Sequence, residues 1–463
     1  MRNITLIVIV FFLSLFNFAQ QVRFGEDRFY ELIVNNHPLS KQANLKVNFG
    51  ENSVLKARGA FDPKLFGSLD QKYYNSSQYY DLLNAGLKVP TWFGLEFKTG
   101  FENNRGAYVS EQNNTPPNGL WYGGVSMNLG QGLIIDNRRA ELFKAKIYAE
   151  STFFEKELQL NELIFESGYS YWNWFLSYHS EQTLIEAYDL ALERFNAVKR
   201  ISELGDRPSI DTVEAIIQLQ NRESLLLDFK TERQATMFNL NSFLWDENAN
   251  PLELDSLTIP IDLDSISQLP LWLPTEEAID SAIQQHPYLQ IANFKIKSLE
   301  VDKRLKREML KPTLDLQYNL INEPINSNPI NDLSLNNYKW GVTFEMPLFL
   351  RKERGDLQLA NLKIQDQQFE LDNKKAYIEF KIRSSIVEMT NALRQVEIYK
   401  KNVKDAEQLL NAEKQMFENG ESSLFLINAR ETSYIQSKLK LIESLVKSQQ
   451  SYLSLQYALA NLI

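Results

Sequence analysis

"HPLSKQAN" at 37–44 and "HPYLQIAN" at 286–293 are nearly the same phrase, written twice 249 residues apart. The match runs on without gaps from 37–65 to 286–314. Lys46/Lys295, Glu51/Glu300, Arg58/Arg307, Pro63/Pro312 and Leu65/Leu314 coincide. A second echo pairs "NAVKRISELG" (196–205) with "NAEKQMFENG" (411–420), at an offset of 215. Two echoes in the same order imply two copies of one unit, and a repeat decides the architecture before anything else does. The unequal offsets place extra chain inside the first copy. We divide the sequence into a first repeat at 20–250, an inter-repeat linker at 251–274 and a second repeat at 275–463.

Each copy reads as an opening helix, strands, a very long helix, a tight turn and a shorter return helix. From Leu133 to Leu204 the only glycine is Gly168, and no proline occurs; Asp356–Glu418 has neither. At 1.5 Å per residue such helices run to roughly 100 Å. Globular helices average about 11–12 residues, so these need partner helices. Return helices are expected from about Ser209 to Leu244 and from Ser423 to Leu462. The last carries a seam of Ile435, Leu439, Ile442, Val446, Leu453 and Ala460 at the spacing of packed helices. Opening helices at about 27–58 and 275–310 match the length each return helix lacks. Pro38 and Pro287 predict a break or restart in them. His37 and His286 at those breaks read as structural. His179 reads as packing, and Trp172, Trp174 and Phe175 as core or girdle.

Between the helices lie runs with one greasy and one polar face. Leu314, Leu316, Tyr318 and Leu320 share a face, as do Trp340, Val342, Phe344 and Met346, and Trp121, Val125, Met127 and Leu129. This is the pattern of outer-membrane strands. Residues 85–101 read as an added hairpin turning at Pro90–Gly94, which gives four strands in the first copy and two in the second. Tyr73, Tyr74, Tyr79, Tyr80, Trp121, Tyr122, Tyr338 and Trp340 are expected in an interfacial belt. The start, "MRNITLIVIVFFLSLFNFAQ", reads as a secretory signal over 1–19, too short to span a bilayer as a helix. A closed barrel is then the way to cross a membrane. A handful of strands cannot close one alone, so copies of the chain must pool theirs in a ring.

The formal charge of −10 argues against a nucleic-acid partner. No cysteine and three histidines argue against disulfides, thiolate chemistry and His-rich metal sites. No nucleophile–base grouping or phosphate loop stands out. The expectation is a non-enzyme without cofactor or metal.

The duplicated "HP" starts, the strand-to-helix junctions "NLGQGLIIDNRRAEL" (128–142) and "MPLFLRKERGDLQLA" (346–360), and the turns "GDRPSIDTVEA" (205–215) and "GESSLFLINARE" (420–431) resemble the TolC-like outer membrane efflux family. The resemblance covers nearly the whole chain. It implies a mainly α fold with a β membrane part, in which duplicated helical hairpins form a trimeric α-barrel topped by a transmembrane β-barrel, twelve-stranded in that family. It further implies an exit duct in a Gram-negative outer membrane, with most of the chain in the periplasm. The expected partners are two further copies, outer membrane lipid, a periplasmic adaptor and an inner-membrane transporter. The alternative is a periplasmic coiled-coil scaffold without a barrel. The turns then become adaptor contacts: Gly205, Asp206, Arg207 and Ser209 in the first, Gly420, Glu421, Ser422, Ser423 and Leu424 in the second. Ser209 is expected to cap the helix after it. Asp211 and Glu214 fit an acidic aperture, whereas Phe425 and Leu426 fit an apolar one closing by packing and dewetting.

Overall fold

The computed structural model describes residues 22–255, 257–266, 273–323 and 334–462. The expected signal at 1–19, part of the 251–274 linker and the connection within 324–333 lie outside them. In chain order the elements are β1 (Val22–Phe24), α1 (Glu26–Asn36), α2 (Pro38–Arg58), β2 (Lys64–Tyr74), β3 (Ser77–Pro90), β4 (Leu95–Arg105), β5 (Leu120–Asn128), α3 (Asn137–Glu203) and α4 (Ser209–Asn241). The linker carries β6 (Thr258–Pro260), and the second copy follows: α5 (Glu276–Gln285), α6 (Pro287–Glu308), β7 (Thr313–Asn322), β8 (Tyr338–Glu345), α7 (Arg351–Glu418) and α8 (Leu424–Ala458). The long helices have 67 and 68 residues, each about 100 Å.

Contacts divide the chain into two units. One comprises the chain up to Asn44, Lys156–Pro287 and Lys375 onward; the other comprises Leu45–Glu155 and Tyr288–Lys374. Each therefore draws on both sequence repeats.

The first unit is helical and has an aromatic centre. Tyr171, Trp172, Trp174 and Phe175 of α3 are buried with Phe24, Phe29, Ile33, Leu240, Leu244 and Ile266. Gly168 is the glycine of α3 because of close approach. A Cβ there would meet the Tyr30 hydroxyl at 2.4 Å and a Leu453 methyl at 2.6 Å. The proline breaks fall as expected, with α1 and α5 ending one residue before His37 and His286. His37 accepts a hydrogen bond at Nδ1 from the Leu39 N–H (3.1 Å) and stacks on Phe243, ring centroids 6.0 Å apart. Lys41 bonds the Glu247 carbonyl at 2.9 Å, so the chain leaving α4 meets the His37 break. His286 lines a cavity with Glu157, Leu459, Ala460 and Asn461, so the end of α8 meets the second break in the same way. His179 packs on Phe175, and its Nε2 lies 3.0 Å from the Ile261 carbonyl. Most of the expected α8 seam is buried, but Ala460 lies beyond the helix with φ of 54°. In the linker, β6 pairs in parallel with β1.

The second unit holds one antiparallel sheet in the order β2-β3-β4-β5-β7-β8. The first copy gives four strands and the second gives two. The 85–101 hairpin is β3 and β4, turning through 91–94. Register sorts every strand residue to a face. Leu65 opposes Leu87, Val89 opposes Phe97, Phe97 opposes Val125, Val125 opposes Tyr318, and Tyr318 opposes Trp340. One face is thus nearly all apolar and is exposed, with Leu65, Trp340 and Phe344 each more than 60% accessible. The other carries Lys88, Lys98, Glu102, Gln317, Asn319 and Lys339, which line a cavity of about 730 Å³ and so mark the concave side. Gly86 and Gly100 stand opposite each other on that side. A Cβ at Gly86 would come within 2.3 Å of the Thr99 carbonyl, so the curl leaves no room for one. The belt is corrected in part. Tyr80 pairs with Lys72, and the Tyr122 hydroxyl bonds Asn84, so both lie on the concave face. Neighbours in a strand point to opposite sides, and Trp121 therefore takes the apolar face that Tyr122 cannot.

Candidate functional site: the paired hairpin tips

Both long helices end in the same way. The Gly205 N–H bonds the Ser202 carbonyl and the Asp206 N–H bonds that of Ile201, with Gly205 at φ of 84°. The Gly420 N–H bonds the Phe417 carbonyl and the Glu421 N–H bonds that of Met416, with Gly420 at φ of 80°. These two bonds close a Schellman end, and the left-handed residue is glycine because a Cβ is strained there.

The return helices start differently. Ser423 caps α8, its hydroxyl accepting from the Leu426 N–H at 3.4 Å. Ser209 does not cap α4, contrary to the sequence expectation. Pro208 occupies the cap position with extended backbone and offers no side-chain oxygen, and Ser209 is already the first helical residue. A proline fixed near φ of −65° starts the helix one residue earlier than the serine suggested.

The two tips pack side by side. The Arg207 guanidinium lies 4.3 Å from the centroid of the Phe417 ring and pairs with Asp211 at 3.4 Å. Leu424 is buried with Val198 and Ala215, flanked by Phe195 and Phe417. Ser422 donates to the Glu413 carboxylate, which also meets Arg430 at 3.5 Å. Gly205, Asp206, Ser209, Gly420, Glu421 and Ser423 are exposed, and Arg207 and Ser422 are half-buried. Of the aperture residues, Asp211 is held by Arg207. Glu214 accepts from Asn428 Nδ2 at 3.1 Å. Phe425 and Leu426 are exposed.

Just above the tips is a buried polar knot that the sequence did not reveal. Arg194 of α3 donates through Nη2 to Glu431 Oε1 (3.1 Å) and through Nη1 to Asn428 Oδ1 (3.1 Å). Arg222 of α4 donates to the Thr432 hydroxyl at 2.8 Å. Glu431 and Arg222 are almost fully buried, and burial disfavours charge on Arg222 while Glu431 favours it. The knot ties the return helix of the second copy to both helices of the first. Its bonded partners are more than 200 residues apart, and no local spacing announces them.

Among the described residues no helix is long and apolar enough to cross a membrane, and no cluster of metal-ligating side chains occurs. The sheet with its apolar outer face is the candidate membrane element.

Residues 278–461 match the family model for outer membrane efflux proteins. No curated protein matches the chain in sequence. The fold is similar to the open state of the Neisseria gonorrhoeae MtrE outer membrane channel, at 12% identity and a TM-score of 0.69, covering 96% of this chain and 93% of that one. It is similar to the Campylobacter jejuni CmeC outer membrane channel, at 14% identity and a TM-score of 0.65, covering 94% and 85%. It is also similar to the Vibrio cholerae outer membrane protein VceC, at 12% identity and a TM-score of 0.65, covering 94% and 96%.

Proposed function

We propose that this chain, which matches the outer membrane efflux family model over 278–461 and is similar in fold to outer membrane channels over nearly its whole length, is the trimeric exit duct of a tripartite exporter. An inner-membrane transporter supplies cargo and energy, and a periplasmic adaptor docks at the helical tips. The observation that supports this most is the pair of matched Schellman turns held side by side by Arg207 on Phe417. Around them Leu204, Ile210, Val213 and Phe425 are exposed, giving an apolar surface at a helix end where an isolated chain gains nothing from it. The periplasmic scaffold reading leaves the apolar outer face of the sheet without purpose.

The test is site-directed cross-linking in cells, using the absence of native cysteine. Leu204→Cys and Ile210→Cys should each give an adduct with a periplasmic adaptor. Adducts only between copies of this chain would sink the docking role.

The aperture, on this reading, is apolar rather than acidic. Asp211 and Glu214 are engaged by Arg207 and Asn428, whereas Phe425 and Leu426 are free to close against other copies. Phe425→Ala should raise the resting conductance of the reconstituted channel more than Asp211→Ala does. The reverse order would restore the acidic gate.

A further inference from the structure

The sheet ends in two free edges. In the described structure β2 pairs only with β3, and β8 pairs only with β7. These edges are 11 and 8 residues long. In lipid each unpaired backbone group costs several kcal/mol, so an open edge cannot persist there. The chain cannot close on itself, because even eight strands leave an interior only just wide enough for side chains. Both edges border the apolar face, so what pairs with them also sits in the membrane. The occupant with a matching edge of the right kind is a second copy of this chain, β8 of one against β2 of the next.

The hairpin β3–β4 decides how many strands result. It is not an appendage. β3 is the sole partner of β2, with eleven paired positions, and β4 is the first-repeat partner of β5, with eight. Removing the hairpin from the wall would leave β2 and β5 without those partners. Its faces also continue the wall. Leu83, Leu87, Val89, Phe97 and Phe101 fall on the apolar side, while Asn84, Lys88, Lys98 and Glu102 fall on the concave side.

We propose that the trimer closes a barrel of eighteen strands, six from each copy, with β3–β4 in the wall. This rests on the trimeric reading above. With strands about 4.8 Å apart and tilted about 40°, eighteen strands give a backbone diameter of about 36 Å, against about 24 Å for twelve. The membrane section thus has about twice the cross-section that two hairpins per chain would give. The concave side is polar enough to line such an aqueous lumen, and it is partly occupied. Loop 106–119 folds onto it, the Asn104 side chain donating to the Asn113 carbonyl (2.8 Å) and the Asn104 N–H to the Thr115 hydroxyl (2.9 Å).

The experiment is single-particle imaging of the full-length protein extracted from outer membranes. A three-fold particle with eighteen strands and a backbone diameter near 36 Å is expected. A three-fold particle with twelve strands and β3–β4 outside the wall would overturn the strand count and leave the duct intact. A particle without three-fold symmetry, or a monomer soluble without detergent, would overturn the trimeric duct and the eighteen-stranded barrel with it.

Discussion

At the scale of single residues, two buried polar groups carry consequences that can be measured. Burial lowers the pKa of His286 to about 4, from an ordinary value of 6.5. Folding therefore favours the neutral ring. Above pH 6.5 folded and unfolded chains are both neutral there, and no penalty exists. As pH falls from 6.5 toward 4 the unfolded chain takes up a proton that the folded one refuses. Stability drains over that window, reaching on the order of 3 kcal/mol. Denaturant unfolding in detergent at pH 7 and pH 4.5 should show a smaller acid loss in His286→Gln than in the native protein, and equal losses would refute the assignment. Glu431 is the opposite case, a buried charge compensated by Arg194 and close to Arg222. Glu431→Gln leaves the guanidiniums uncompensated, at a cost of about 3–5 kcal/mol. Adding Arg194→Met should recover part of that loss. Additive losses would mean the two residues do not act as a pair.

At the scale of elements, the two tips give a matched comparison. Ser423→Ala removes a cap and should cost about 1 kcal/mol, whereas Ser209→Ala should cost close to nothing, since Pro208 holds the cap position. A thermal shift for both serines would contradict the geometry. The sequence suggested a cap at Ser209, because serine after a glycine turn looks the same in either tip, and only the backbone shows which serine is already inside the helix. What was legible was whatever has a period. The helices announced themselves by long stretches almost free of glycine and proline, and β4, β5, β7 and β8 by alternation. "KLFGSLDQKYY" of β2 alternates more weakly, with Gly67 and Gln71 on its apolar face. The knot of Arg194, Asn428 and Glu431 has no period at all. Nor has the fold of loop 106–119, which is held by Asn104 and Arg105 at the end of β4. That loop yields a prediction of its own. If it obstructs the concave side, Asn319→Cys should react faster with a bulky impermeant maleimide on whole cells once 108–117 is shortened. An unchanged rate would place the loop off the lumen.

At the scale of the whole molecule, the question is whether assembly runs through the sheet edge, and hydrogen-bond parity permits a test that spares the fold. The Ile321 N–H bonds the Asn337 carbonyl at 3.0 Å, and Leu320 stands opposite Tyr338. In an antiparallel ladder this pairing repeats every second residue. Residues 339, 341, 343 and 345 therefore turn their amides toward β7, and 338, 340, 342 and 344 turn theirs to the free edge. Proline at an outward amide removes no bond within the chain but denies one to a neighbour, which is why proline is tolerated on edge strands and excluded from inner ones. Val342→Pro should keep the helical content and lose most of the trimer in the outer membrane, with Val342→Thr as the control that keeps the amide. The helical hairpins can still meet their counterparts, so the expected failure is at insertion rather than at folding. Full assembly of Val342→Pro would mean that β8 is not the joint between copies. Loss of assembly in Val342→Thr as well would mean that the apolar side chain, not the backbone ladder, holds the ring together.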